Sequence, residues 1–152
     1  MHPPIKRHKA LQPWSRDHHH GLLLSWKIKK GFSLGIELSR IKNYTDWFWE
    51  NQLKAHFETE EKYIFPILGN EHPLVKRALE EHQNLQAFFE HPLADTEVLS
   101  EIENLINHHI RFEERVLFNA IQEAATDEEM ELLIKLHSEE PHCEVWEDEF
   151  WK

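Results

Sequence analysis

The chain has 152 residues, a formal charge of −11 with histidine neutral, thirteen histidines and a single cysteine. That length suits one domain with its own core. The acidity disfavours nucleic acid and anionic membrane as partners, and the lone Cys143 excludes a disulfide framework, a zinc ribbon and an iron–sulfur cluster.

Residues 1–14 contain Pro3, Pro4 and Pro13 with several charges and read as an irregular N-terminal arm. Lys6, Arg7 and Lys9 have no apolar block behind them, so no secretory signal is expected. No apolar run reaches the ~20 residues that cross a bilayer. The expected location is therefore the cytoplasm.

Ser15 resembles an N-cap, with Arg16 and Asp17 in the first turn, and predicts a helix from Ser15 to Lys30 ended by Gly31. A second helix is predicted from about Ser33 to Phe65, limited by Pro66. On it Ile41, Phe48, His56, Glu60 and Ile67 share one stripe, with Trp49, Leu53, Phe57 and Ile64 beside it. His72 precedes Pro73 and reads as a capping or surface group, and Pro73 suits the first turn of a third helix. Val75, Ala78, His82, Leu85 and Phe89 are the inward stripe of that helix, which runs to about Glu90.

The fourth helix is predicted from Thr96 to Ala125, with Ile102, Leu105, Ile106, His109, Glu113, Val116 and Ala120 facing in. Thr126-x-x-Glu129 resembles a capping box and begins a short helix. In the tail, Trp146, Phe150 and Trp151 are expected to pack back on the bundle. Short joints make sequential helices antiparallel neighbours. The predicted fold is all-α: an antiparallel up-down-up-down four-helix bundle with a short C-terminal helix and tail. The bundle domain is assigned to 15–152, including an extension at 126–152.

Histidine occurs on all four long helices, and two of them read His-x-x-x-Glu: His56 with Glu60, and His109 with Glu113. Four residues turn an α-helix by about 400° and advance it roughly 6 Å, so the two side chains stack on one face. A lone histidine on an apolar face is usually a packed or surface residue. Two such pairs on inward stripes, with His82 and one of His18 or His19 on the other helices, form a core metal site of the kind helical bundles build. Imidazole and carboxylate without thiolate suit iron or manganese, and zinc second. Glu60 and Glu113 are placed to bridge two ions, with His18 or His19, His56, His82 and His109 as terminal ligands. Periodicity does not choose between His18 and His19, because Leu22, Leu23, Leu24 and Ile28 cover most of that helix. Glu61 and Glu114 read as an outer face or a supporting layer. His2, His8, His91, His137 and His142 read as solvated.

The set Asp17-His18, His56-Phe57-x-x-Glu60-Glu61 with Ile64-Phe65-Pro66, Glu81-His82, and His109-x-x-x-Glu113-Glu114 with Leu117-Phe118 resembles the hemerythrin-like, HHE cation-binding family across about residues 15–121. The resemblance implies a four-helix bundle holding two iron ions, a non-haem di-iron centre bridged by Glu60 and Glu113. It implies His18 as the ligand from the first helix, with His56, His82 and His109 terminal. Manganese or zinc are the expected substitutes. The chain departs from the oxygen carriers of that family at Gln86, where they place a further histidine. This shifts the expected function from oxygen transport to binding or sensing O₂, NO or iron. The alternative is a small oxidoreductase that reduces O₂, NO or peroxide with an external electron donor. Binding rather than catalysis is favoured, in a monomer or homodimer.

Overall fold

The structure is a computed structural model and describes residues 6–136 and 146–152. His2, His137, His142 and Cys143 lie outside the described residues. Helices α1 (Gln12–Ser33), α2 (Leu38–Phe48), α3 (Lys54–Thr59), α4 (Pro73–Phe89), α5 (Thr96–Phe112), α6 (Phe118–Ala124) and α7 (Asp127–Leu136) follow in order. Among the described residues no helix is long and apolar enough to cross a membrane.

α2 and α3 are halves of one long column, joined through an i→i+5 hydrogen-bonded segment, Trp49–Leu53. A second such segment, Glu60–Ile64, continues that column. A third, Glu113–Leu117, joins α5 to α6. Counting each joined column once gives the predicted four long helices. Their directions follow from which residues meet. Trp14 meets Thr59 while Lys27 meets Tyr44, and His18 meets Glu113 while Ser25 meets Glu103. As one number climbs its partner falls, so each pair is antiparallel and the bundle closes up-down-up-down.

Two apolar clusters lie at either end of the bundle. Leu24, Ile28, Ile41, Phe48, Trp49, Leu85, Phe89, Ile102 and Ile106 fill one, and Trp14, Ile64, Phe65, Val75, Ala78, Phe118 and Ile121 fill the other. The tail closes the first end, as expected: Phe150 is buried there, with Trp146 and Trp151 packed against it. Arg40 holds Asp148 through two hydrogen bonds, at 2.9 and 2.6 Å. The capping box is formed: Thr126 N–H donates to Glu129 and Glu129 N–H to Thr126 Oγ1. His72 caps α4 by accepting from Leu74 N–H.

Several boundaries differ from the sequence reading. The arm is shorter than predicted, because a 3₁₀ turn at Lys9–Leu11 leads into α1 at Gln12, with Pro13 in the first turn rather than before it. Gly31 does not end α1. The helix stops at Gly35, whose φ of 67° lets its N–H reach Phe32 O while Ile36 N–H reaches Gly31 O. Gly31 is needed for space instead: a Cβ there would sit 2.8 Å from Ile41 Cδ1 and 3.0 Å from Phe150 Cε1. The joint then runs to Glu37, and α2 starts at Leu38 rather than near Ser33.

The inward stripe of the fourth helix also slips. Val116, predicted to face in, is exposed, and its neighbour Leu117 is buried instead. The i→i+5 segment at Glu113–Leu117 inserts one extra residue into the turn, so every apolar position after Glu113 moves on by one.

Gly31→Ala tests the close approach of the tail to α1. In an open helix the change stabilises by ~1 kcal/mol. Here the overpacking cost of ~1–3 kcal/mol should exceed that gain, so the denaturant midpoint should fall rather than rise.

Candidate metal centre

Glu60 and Glu113 are the N-terminal residues of two equivalent i→i+5 segments, and both are fully buried at 0 % exposure. His56 and His109 lie one turn earlier on their helices and face them, with Nε2 to carboxylate distances of 3.3 and 3.1 Å. α1 brings His18, whose Nε2 is 3.0 Å from Glu113. α4 brings His82, whose Nε2 is 3.4 Å from Glu60 and 3.1 Å from His109 Nε2.

The ligating atoms form two overlapping groups. His18, His56, Glu60 and Glu113 are one; Glu60, His82, His109 and Glu113 are the other, and within each group the atoms lie within 4.8 Å of one another. Ligands held about 2.0–2.2 Å from a shared tetrahedral ion stand roughly 3.4 Å apart, so the observed 3.0–3.4 Å contacts match a cation site. The chemistry of the donors agrees. Both oxygens of Glu60, one oxygen of Glu113 and Nε2 of His56 are buried without a hydrogen-bond partner. Such groups are costly unless something compensates them, and an ion held by the two groups would do so.

Each imidazole turns Nε2 inward and Nδ1 outward, and each Nδ1 meets a carboxylate. His56 donates to Asp17 at 3.1 Å, His82 to Glu61 at 2.8 Å, His109 to Glu81 at 2.7 Å and His18 to Glu114 at 2.7 Å. The outer acid always comes from the preceding helix of the ring, and it is the sequence neighbour of that helix's own inward residue. One helix step rotates the side chain by about 100°, so adjacent residues serve two different layers. Glu114 is itself held by Arg7, whose guanidinium also reaches Glu114 O, Asn119 Oδ1 and Gln122 Oε1.

Six of the seven sequence-predicted residues come together: His18, His56, Glu60, His82, His109 and Glu113. His19 does not. It is exposed, with its ring 5.7 Å from His20, because the register that sends His18 inward rotates His19 toward solvent. Gln86 points away from the cluster and bonds Glu90 on its own helix. Asp17 and Glu81 were read only as neighbours of histidines; their pairing across helices depends on which helix lies beside which. Arg7 fell in the presumed irregular arm and left no periodic signal.

Without a metal ion the site is a network of buried ion pairs. Burial alone would depress the His109 imidazolium, but the Glu113 charge and the hydrogen bonds to Glu113 and Glu81 outweigh it and raise its pKa to about 10. Burial likewise opposes the charged forms of His56 and His18. Glu60 and Asp17 raise the first well above its usual range, and Glu113 and Glu114 raise the second. For Glu113, burial favours the neutral acid, and the charge and hydrogen bond of His109 overcome it, holding the carboxyl well below its usual range.

A family model of the hemerythrin HHE cation binding domain matches residues 14–121, which contain all six clustered residues. No curated protein matches the chain, and no solved structure does.

The raised histidines set a pH dependence for the metal-free chain. His109 is charged in the folded state up to about pH 10 and in the unfolded state only below about 6.5. Its stabilisation is therefore complete below pH 6.5 and lost as the pH rises through about 10. Urea midpoints of the metal-free chain should fall between those limits.

Proposed function

We propose that this chain, which belongs to the hemerythrin HHE cation-binding family, holds two iron ions in its core and uses them to bind or sense O₂, NO or iron in the cytoplasm. The observation that carries the reading is the pair of buried carboxylates with unpartnered oxygens, ringed by four imidazoles that all turn Nε2 inward. Glu60 and Glu113 belong to both groups and would be shared between the ions. His18 and His56 would complete one site, and His82 and His109 the other. Manganese or zinc would fit the same donors. Bound iron would supply open coordination positions and a redox couple.

The chain's own residues do the rest. The outer carboxylates fix each ring's orientation and keep Nδ1 protonated, which leaves Nε2 as the donor toward the core. The apolar clusters above and below exclude water. The balance of histidines supports binding over oxygen transport. With Gln86 turned outward, both halves offer two imidazoles each, so neither ion would be better filled than the other.

Metal analysis of untagged protein should find iron near two per chain. His56→Ala and Glu113→Ala should each lower that content, and full occupancy in both would place the site elsewhere. Removing only an outer contact, as in Glu81→Gln, should weaken affinity by about 10–100-fold in a chelator competition. Exposure of the reduced protein to O₂, NO and peroxide separates the roles. A reversible spectral change supports binding or sensing, whereas repeated turnover with an added electron donor supports an oxidoreductase.

A further inference from the structure

Two adjoining clefts open between α1 and the α2–α3 column, and both are lined by Asp17, Gln52 and His56. The larger, about 210 Å³, extends over Ala55 and Thr59; the smaller, about 50 Å³, reaches His20. A water molecule takes ~30 Å³ in the liquid, so the larger cleft has room for a partly hydrated ion.

The four imidazoles are not equally covered. Phe118 stacks on His18 at 5.3 Å, Phe57 lies flat on His82 at 3.7 Å, and the edge of Phe57 meets His109 at 5.5 Å. These rings offer a cation no ligand. The His56 and His18 side chains are each 5 % exposed, but of the four only His56 borders both clefts. Its outer hydrogen bond, 3.1 Å to Asp17, is also longer than the 2.7–2.8 Å bonds of the other three.

We propose that these clefts are the port through which a divalent cation enters the core, with Asp17 and His20 at the rim and His56 as the ligand that swings to admit it. Oxygen and imidazole donors at the rim can replace waters of hydration one at a time. The net negative charge of the chain raises the concentration of cations near its surface. On release from Asp17 the His56 ring can turn into the cleft, hand the ion to Glu60, and close behind it. This port rests on the metal-site reading above, and loading rate tests the port while final occupancy tests the site.

The experiment adds cobalt(II) to the metal-free full chain. Its visible absorption is followed by stopped flow, and the endpoint is measured by elemental analysis. Ala55→Trp fills the larger cleft from an exposed position and should slow loading by about tenfold, equivalent to ~1.4 kcal/mol of added barrier, with an unchanged endpoint. His20→Ala should slow it as well, and decides the matter if the tryptophan variant does not fold. Glu50→Trp, in the separate cleft beside Trp49 and Phe89, should load like the unaltered chain. Unaltered rates in both Ala55→Trp and His20→Ala overturn the port, as does equal slowing by Glu50→Trp. Failure of the unaltered chain to take up any metal would overturn the site itself and the port with it.

Discussion

Two fully buried carboxylates are the constraint on which this structure turns. Glu60 and Glu113 are fully buried, and three of their four oxygens have no hydrogen-bond partner. Removing an anion from water costs several kcal/mol even after relaxation. The bundle must therefore supply positive charge or strong donors at that one level. It does so with one histidine from each helix. Four helices are what allow four imidazoles to converge from four sides, which a sheet or a helix pair would not.

Compensation then spreads outward in a closed ring. On each helix the residue beside an inward ligand turns toward the next helix's imidazole. Asp17 serves His56, Glu61 serves His82, Glu81 serves His109 and Glu114 serves His18. The arrangement repeats after two helices. An acid–histidine pair on the first and third is matched by a histidine, a buried glutamate and an adjoining acid on the second and fourth. Two of the three i→i+5 segments obey the same repeat, each starting at the buried glutamate. Charge thus alternates from core to rim, and the orientation of every imidazole is set from both sides. Arginines add a further layer, Arg7 gripping Glu114 and Arg77 donating to Glu81 at 3.0 Å. The two halves, alike in donors, differ in their surroundings: Phe57 packs on both imidazoles of one, and clefts reach the other at His56.

Much of this was legible in the linear chain because helical periodicity converts spacing into direction. His56 with Glu60 and His109 with Glu113 had to share a face, and the apolar residues around them placed that face inward. The stripe of α4 was read correctly at every position, since Pro73–Phe89 is a regular α-helix. The same rule failed beyond Glu113, where Leu117 is buried in place of Val116. An inserted residue changes the angular bookkeeping, and no residue type announces it. Gly31 and Gly35 show the companion failure. Both are glycines near a helix end, and only the packing of Ile41 and Phe150 against Gly31 tells which one is there for space and which for its positive φ.

The sequence by itself determined the all-α class, the four-helix layout, the inward pairs on the second and fourth helices and the donor chemistry. Each of these depends on local spacing and residue type. Tertiary structure decided what periodicity left open between His18 and His19, sending His18 to the core as the resemblance implied, and it decided that each outer acid serves a histidine on the next helix and that Gln86 stands clear of the site. It also decided that Arg7 returns across the fold to hold Glu114. The reason is common to all four. Rotation of a helix about its axis and the identity of its neighbours are fixed by packing between segments distant in the chain, and neighbouring positions on one helix carry no record of either.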